Sequence, residues 1–251
     1  MIGSTIYRAC TRSESMRYVL FVMLMAFAAD GFAQREKPMN YRRFDERLFH
    51  FGFTIGGNTA DFTMFQVPNA YEKFGVKSVT NHSAPGGQVG ILTTMKVGTP
   101  VVRLRFIPII SFQERILRYE FEDDTQTGAI FNEERIQSTN LDFPLMFQFR
   151  TLRVNNFAAY VLAGGQYTVD LQSQQDAGQD FNDPFIKISK HDWQGQVGGG
   201  LEFFATYFKF GIELKYSHGW RNVLIQDNTS VSNPIESLYN RVWWLSLIFE
   251  G

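Results

Sequence analysis

The sequence is almost free of cysteine, since Cys10 is the single one among 251 residues. Cys10 lies in an amino-terminal segment that we expect to be removed, so the mature chain would contain no thiol. Without a thiol it could form no disulfide, no cysteine-ligated metal site and no lipid-anchored cysteine. The sequence also lacks an excess of charge of either sign, with a formal net charge of −1. A basic surface for nucleic acid is therefore not expected.

Long apolar runs are equally scarce. The longest strongly apolar run, residues 18–27, is too short for a membrane-spanning helix, which needs about 20 residues. Arg17 precedes this run and small residues follow it, which is typical of a secretory signal peptide. We predict a signal peptide over 1–33, in which 1–15 is an over-extended start and Met16 is the true initiator. The protein would then be exported, and no transmembrane helix is predicted in the rest of the chain.

What the sequence does contain is alternation of apolar and polar residues with a period of two, which is typical of β-strands. Leu141 and Phe143, for example, alternate with Asn140 and Asp142. Eight segments show the pattern: 49–58, 87–97, 101–114, 138–150, 158–172, 192–204, 207–217 and 238–249.

The third segment is predicted to continue as far as Phe121. The apolar positions change phase at Leu117 and Tyr119, which predicts a β-bulge near Glu114–Arg115.

The gaps between the segments alternate between long and short. The long, polar gaps are 59–86, 122–137, 173–191 and 218–237, and the short ones are 98–100, 151–157 and 205–206. Outer-membrane barrels sort their loops in this way, with tight turns on the periplasmic side and longer loops outside. The pattern predicts an all-β fold, an eight-stranded antiparallel up-and-down transmembrane β-barrel over 49–251. Residues 34–48 would form a periplasmic linker, and both termini would be periplasmic.

The charged residues of the strands share one face. They are Arg103, Arg105, Asp142, Arg150, Asp170, Glu202, Lys209, Glu213 and Lys215. A lipid-facing surface must be apolar, and the lumen of an eight-stranded barrel is just wide enough for side chains to fill it. We therefore predict a plugged barrel, not a pore, with a lumen charge network formed by Arg103, Arg105, Arg150, Glu202, Lys209, Glu213 and Lys215. The alternative is a soluble, lipocalin-like barrel with the apolar face inside.

Further details follow from the strand pattern. A two-residue turn at Ala205-Thr206 would place Glu202 directly opposite Lys209. Glycines on the lumen face leave room for long basic side chains: Gly164, Gly198, Gly200 and Gly211. An aromatic girdle at the strand ends is predicted from Tyr207, Tyr216, Trp220, Tyr239, Trp243 and Trp244.

Catalytic chemistry is not indicated. The mature chain offers four histidines, His50, His82, His191 and His218. Ser217 precedes His218, but neighbours on one strand point to opposite faces and could not act together. No two histidines have the spacing of metal ligands. We predict no enzyme, no cofactor, no metal and no small-molecule substrate.

The segment "MNYRRFDERLFHFGFTIGGN" (39–58) resembles the opening of PorT-family proteins from Bacteroidetes. The residues that match the family pattern there are Asn40, Phe44, Asp45, Arg47, His50, Phe51 and Gly52. Further blocks resemble the family in the same order, namely 83–92, 104–121, 141–151, 155–171, 207–224 and 243–251. Departures are small: Lys37 and Pro38 vary the leader, and Gly87 stands where an aromatic residue is usual.

The resemblance implies a non-enzymatic outer-membrane component of the type IX secretion system. That apparatus exports cargo with a C-terminal secretion domain and supports gliding motility in some species. The expected partners are outer-membrane lipid and other subunits of the system, with Phe44, Asp45 and Arg47 as candidate contacts. The alternative for this linker is that it only plugs the lower mouth of the barrel. An OmpA-like structural or adhesive barrel and a lipid A-modifying enzyme remain as other functions.

Overall fold

The computed structural model describes residues 40–121, 130–173, 175 and 185–251. The predicted signal peptide and the start of the linker lie outside these residues. A 3-10 helix, Arg42–Asp45, comes first, and the short helix α1 spans Ala70–Phe74. The strands are β1 (Phe49–Gln66), β2 (Val76–Lys96), β3 (Val102–Phe106), β4 (Ile109–Phe121), β5 (Ile130–Arg150), β6 (Phe157–Asp170), β7 (Lys187–Ile188), β8 (His191–Phe204), β9 (Lys209–Gly219), β10 (Leu224–Ile225) and β11 (Ile235–Glu250).

The long strands pair antiparallel with their sequence neighbours and close into a ring. The first and last meet along their length, with Gly52 opposite Glu250 and Thr63 opposite Tyr239. β3 and β4 both pair with β2 and β5, so they form one wall strand that is interrupted at Ile107 and Pro108. Proline has no N–H to give to a ladder. The fold is therefore an eight-stranded antiparallel up-and-down barrel, as the alternation predicts.

The two ends of the barrel differ. At the short-turn end lie the connections 97–101, 151–156 and 205–208, and at the long-loop end lie 67–75, 171–173, 185–190 and 220–234. The described chain begins and ends at the short-turn end, where the Gly251 N–H donates to the Phe51 carbonyl at 3.0 Å.

The strands reach further toward the long loops than the sequence predicts. β1 and β2 occupy most of 59–86, and β5 occupies the second half of 122–137. The prediction of long loops there is wrong because the outer face turns polar at this height. Arg118 and Glu133, for example, form an ion pair on the outside of β4 and β5. The apolar half of the alternation then disappears, although the strands continue.

The predicted bulge at Glu114–Arg115 is also wrong. The β4–β5 register runs without a break from Ile109–Asp142 to Phe121–Ile130. The irregularity lies in β2, between Ser83 and Gly87, where the pairing with β4 shifts. Leu117 and Tyr119 keep the phase of the strand and point inward, because the barrel interior itself becomes apolar at the long-loop end.

Twelve buried apolar residues close the interior at the long-loop end, and we call them the cap. They are Phe62, Val76, Val79, Leu117, Tyr119, Ile186, Ile188, Val223, Leu224, Val231, Ile235 and Leu238. The small β7–β10 sheet contributes to the cap through Ile188 and Leu224, which pair in register. The Tyr119 hydroxyl donates to the Val231 carbonyl at 2.8 Å, so the cap also fixes a long connection over the barrel.

The outer face of the strands carries an apolar belt. Phe51 is 62% exposed, Val161 61% and Leu245 56%, while their sequence neighbours point into the lumen. Of the predicted girdle, Tyr207, Trp220 and Trp243 are exposed. Among the described residues, no helix is both long and apolar enough to cross a membrane.

Trp244 does not belong to the girdle, and that part of the prediction is wrong. It is buried in the lumen, where its Nε1 donates to Ser217 Oγ at 2.9 Å. Trp243 and Trp244 are adjacent in one strand and point to opposite faces, so only one of them can face outward.

We predict that Val161→Arg destabilises the barrel in phospholipid vesicles by about 2–4 kcal/mol, because it places a charge in the middle of the belt. Urea unfolding followed by tryptophan fluorescence measures this. Gln137→Arg is the control, since Gln137 is exposed on the outer face beyond the belt, and we expect a cost of about 0–1 kcal/mol there. Equal effects of the two substitutions would contradict the position of the belt.

Candidate functional site in the barrel lumen

Alternation along five wall strands brings the charged residues together in the lumen. All nine charged strand residues of the predicted inner face are buried, none more than 7% exposed. Glu250, on the last strand, joins them. We call Arg105, Glu202, Lys209, Glu213, Lys215 and Glu250 the charge hub.

Arg105 lies at the centre of the hub. Its Nη1 donates to Glu213 Oε2 at 2.6 Å, and its Nη2 donates to Glu250 Oε1 at 3.2 Å and to Gln148 Oε1 at 2.9 Å. The guanidinium carbon also lies 5.2 Å from the centroid of the Tyr160 ring, whose hydroxyl donates to the same Glu213 oxygen at 2.7 Å. One arginine therefore joins β3 to β5, β6, β9 and β11.

Two lysines complete the hub. Lys209 Nζ lies 2.8 Å from Glu202 Oε1 and 2.6 Å from Glu250 Oε2. Lys215 Nζ lies 3.1 Å from Glu213 Oε1. Because each of the three hub carboxylates has at least one basic partner, charges that would be very costly in a dry interior compensate one another.

Glu202 and Lys209 meet, but not in the predicted register. The turn comprises residues 205–208, closed by the Ala205 N–H donating to the Phe208 carbonyl at 2.9 Å. Glu202 is therefore opposite Gly211, and Lys209 is opposite Phe204. The two side chains reach each other diagonally across the inner face, as long side chains can do.

Of the predicted glycines, Gly198 makes room for a basic side chain of the hub, and Gly200 makes room for Tyr160. A Cβ at Gly198 would lie 2.8 Å from Lys215 Cγ, and a Cβ at Gly200 would lie 2.5 Å from the Tyr160 hydroxyl. Gly164 and Gly211 do not serve a basic side chain. A Cβ at Gly164 would meet Met146, and one at Gly211 would make only ordinary contacts.

Residues 40–48 form a mouth segment that enters the lumen at the short-turn end. Asp45 Oδ1 accepts from Arg150 Nη2 at 2.6 Å and from Arg103 Nη2 at 2.9 Å. The Asn40 N–H donates to Asn156 Oδ1 at 2.8 Å, and Arg153 donates to the Asn40 carbonyl. The segment is therefore held by β3, by the end of β5 and by the following turn.

Phe44 is the apolar centre of the mouth segment and is fully buried. Its ring stacks on His50 at 3.7 Å between centroids and meets Phe204 edge-on at 5.6 Å. Arg103 and Lys209 lie over the same ring, at 5.0 and 4.8 Å from its centroid. These are cation–π distances, so the ring stabilises two basic residues that belong to the lumen network.

Charge is also desolvated at the rim of the mouth. Arg153 lies in the turn 151–156, outside the strands, and partial burial lowers the pKa of its guanidinium. Its guanidinium carbon is 3.9 Å from the centroid of the Phe204 ring.

The three residues predicted as partner contacts have different surroundings. Phe44 is inside the mouth, and Asp45 is paired with two arginines. Arg47 is exposed, and its Nη1 donates to the Tyr41 hydroxyl at 3.3 Å. Of the three residues, Arg47 is the most exposed, Asp45 is partly exposed and Phe44 is buried.

The predicted lumen charge network left out three of its members: Gln148, Tyr160 and Glu250. Glu250 could have been found, because it continues the inward alternation of Trp244, Ser246 and Ile248 by one step. Tyr160 could not, since an aromatic residue on the polar face carries no sign of its charged partners.

The surroundings of Ser217 and His218 are not those of a catalytic pair. Ser217 is buried in the lumen beside Trp244, while His218 lies on the outer face, its ring centroid 6.3 Å from that of Tyr239. Within the described part of the chain, no group of three or more His, Cys, Asp and Glu residues could hold a metal ion.

Residues 32–224 match the family model described as an outer membrane protein beta-barrel domain. The chain belongs to this family. It is an outer-membrane β-barrel protein, and the soluble, lipocalin-like alternative is set aside. Trp193 and Trp220, both exposed on the outer face, are thus lipid-side or interface residues.

Two solved structures of outer-membrane proteins are similar in fold to this one. The structure is similar to that of the outer membrane protein OprG from Pseudomonas aeruginosa, with 12% identity, a TM-score of 0.42, and coverage of 81% of this chain and 94% of that one. It is also similar to Neisserial surface protein A, with 9% identity, a TM-score of 0.36, and coverage of 79% and 95%. No curated protein matches the sequence.

We predict that Arg105→Met destabilises the barrel by about 3–5 kcal/mol, because it leaves Glu213 and Glu250 buried without their shared partner. Urea unfolding in vesicles measures this. The control is Arg118→Met, which breaks the exposed pair with Glu133 and should have a much smaller effect. A hub variant as stable as the control would show that the lumen charges are not coupled.

We predict that Phe44→Ala releases the mouth segment while the barrel stays folded. Losing a buried ring costs about 2 kcal/mol or more, so opening of the segment should rise about tenfold or more. Trypsin cleavage after Arg47, timed by mass spectrometry, reports this opening. Leu48→Ala, at an exposed neighbour, should cleave at the rate of the wild type. Unchanged cleavage of Phe44→Ala would mean that the ring does not hold the segment.

Proposed function

We propose that this protein is a non-enzymatic outer-membrane component of the type IX secretion machinery, needed for export of cargo with a C-terminal secretion domain. The observation that carries the proposal is the mouth segment. The PorT-like pattern marks Asn40, Phe44, Asp45 and His50, and these same residues hold the segment in the barrel. Pattern residues that make specific contacts in the fold support membership of the PorT family more strongly than pattern residues without contacts would.

The filled lumen supports a role as an anchor or docking subunit. Side chains occupy the interior at every height, from Phe44 through the charge hub to the cap. Such a barrel offers cargo no conduit of its own. We infer that the protein contributes to export by holding or positioning other subunits.

The short-turn end is the proposed docking side, and we infer that it and both termini are periplasmic. Arg47 and Leu48 are exposed there on a segment that the barrel fixes in place. A fixed segment binds with little loss of conformational entropy. Phe44 and Asp45 would act through the shape of the segment, and Arg47 would contact the partner.

The inward Ser217 and outward His218 support the absence of catalysis. A nucleophile needs a base within hydrogen-bond reach, and this pair is separated by the barrel wall.

Deleting the gene should abolish release of cargo into the medium, as measured by immunoblots of cell and medium fractions. The wild-type gene should restore release. Arg47→Ala, inserted in the membrane at normal amounts, should restore only part of it, because the proposed contact is weakened. Lys77→Ala, at an exposed lysine of the long-loop end, should restore it fully.

Unimpaired export in the deletion strain would reject the secretion role. That result would favour an OmpA-like structural or adhesive barrel, for which the connections at the long-loop end would be the relevant surface.

A further inference from the structure

The barrel wall is irregular between β2 and β4. The pairing of these two strands runs as far as Ser83 opposite Arg115 and resumes at Gly87 opposite Phe112. Three residues of β2 therefore lie against two residues of β4 between these pairs, as in a β-bulge. One of the three is Pro85, which has no N–H to give to a ladder. The ladder is interrupted here, and a groove lies beside the interruption.

The groove opens on the outer face of β2, β4 and β5 and has a volume of about 350 Å³. Phe112 is directly opposite Thr139, and Glu114 is directly opposite Gln137, so these four side chains form one block on the surface of the sheet. Such a volume is within the range of small-ligand sites. The side chains of this face that line the groove are Pro85, Phe112, Glu114, Gln137, Thr139 and Gln172.

The groove lies at the height where the apolar belt ends. Phe112, at its lower side, is 54% exposed and belongs to the belt. Above the groove the outer face is charged, with Arg135 on β5 and the ion pair of Arg118 and Glu133. An occupant would therefore place an apolar part toward the short-turn end and a polar part toward the long-loop end, as an amphipathic lipid does.

The polar side chains of the groove fit a headgroup that carries hydroxyls. The Glu114 carboxylate only accepts hydrogen bonds, while the amides of Gln137 and Gln172 both donate and accept them. Sugar hydroxyls can donate to the carboxylate and can also accept from the amides. A phosphate at the position of Glu114 would be repelled and would offer the carboxylate no donor. The Phe112 ring adds an apolar surface for the carbon atoms of the ligand.

A basic group stands at the upper edge of the groove. Arg135 Nη1 lies 3.6 Å from Glu114 Oε1, and its Nη2 lies 3.6 Å from Glu133 Oε2. Both distances exceed those of a hydrogen bond, and the Arg135 side chain is 59% exposed. The guanidinium is therefore loosely held and can turn toward an anionic group of a ligand, such as a phosphate.

We propose that this groove binds the phosphorylated sugar headgroup of lipid A, the glycolipid of the outer leaflet. Glu114 and Gln137 would hold sugar hydroxyls, Arg135 would hold a phosphate, and the acyl chains would lie against Phe112 and Pro85. The inference rests on the orientation given under the proposed function, which places the long-loop end outside. It goes beyond that function because it assigns a lipid site to the opposite end of the barrel from the docking side.

Native mass spectrometry of the protein purified in detergent micelles and titrated with lipid A tests the proposal. The wild type should retain one lipid A per chain, and phosphatidylethanolamine should be retained much more weakly. Glu114→Ala should weaken binding of lipid A by about tenfold, because hydrogen bonds to a charged group are lost. Gln66→Ala is the control, since Gln66 is an exposed residue of β1 outside the groove, and it should bind as the wild type does.

Glu114→Gln distinguishes a sugar from a cationic headgroup. Its amide oxygen still accepts from a hydroxyl, so lipid A should bind within about threefold of the wild type. A loss as large as in Glu114→Ala would overturn the assignment of a sugar.

The site itself would be overturned if the wild type retained no lipid A or retained phosphatidylethanolamine equally well. Undiminished binding by folded Glu114→Ala would also overturn it. Because the measurement uses micelles and no cargo, such a failure is distinct from a failure of the secretion role, which the release of cargo decides.

Discussion

Hydrocarbon can neither donate nor accept a hydrogen bond, and the rest of this structure depends on that constraint. The backbone satisfies it by closing into a ring of eight strands, which leaves no unpaired edge in the membrane. The side chains satisfy it by alternation, with aromatic and aliphatic residues outside and charged residues inside. A lumen this narrow has no room for bulk water, so the charges within it must find partners among themselves.

The charges in the lumen are compensated differently at each height of the barrel. At the short-turn end, Phe44 and Asp45 of the mouth segment cover and pair the basic residues. In the middle, Arg105 collects carboxylates from β9 and β11. Above it, amides and hydroxyls surround the carboxylates, and at the long-loop end the cap is apolar. The mouth segment and the cap thus close the two ends of the lumen by different chemistry.

The alternation of apolar and polar residues with a period of two is enough to predict most of the fold. It places Arg103, Glu202 and Lys215 inward without knowledge of any contact, because inward and outward positions must alternate. The alternation fails to predict strands beyond the apolar belt, as at Arg118 and Glu133. The outer face of the strand is polar there, so the sequence looks like that of a loop. It also misassigns Leu117, because an apolar residue on the inner face looks like a change of phase.

Details that depend on turn geometry or on distant contacts were beyond the sequence. The four-residue turn at 205–208 sets the register of β8 and β9, and Ala-Thr does not reveal its length. The burial of Phe44 against His50 depends on how a segment outside the strands folds back into the barrel, for which alternation carries no information.

The most direct test of inside against outside uses Trp243 and Trp244. Two variants that each keep one of these tryptophans, with phenylalanine at the other tryptophan positions, are inserted into vesicles containing brominated phospholipid. Bromine on the acyl chains should quench the fluorescence of Trp243 strongly and that of Trp244 weakly. Equal quenching of the two, or stronger quenching of Trp244, would contradict the claim that the apolar face looks toward lipid and the charged face is enclosed.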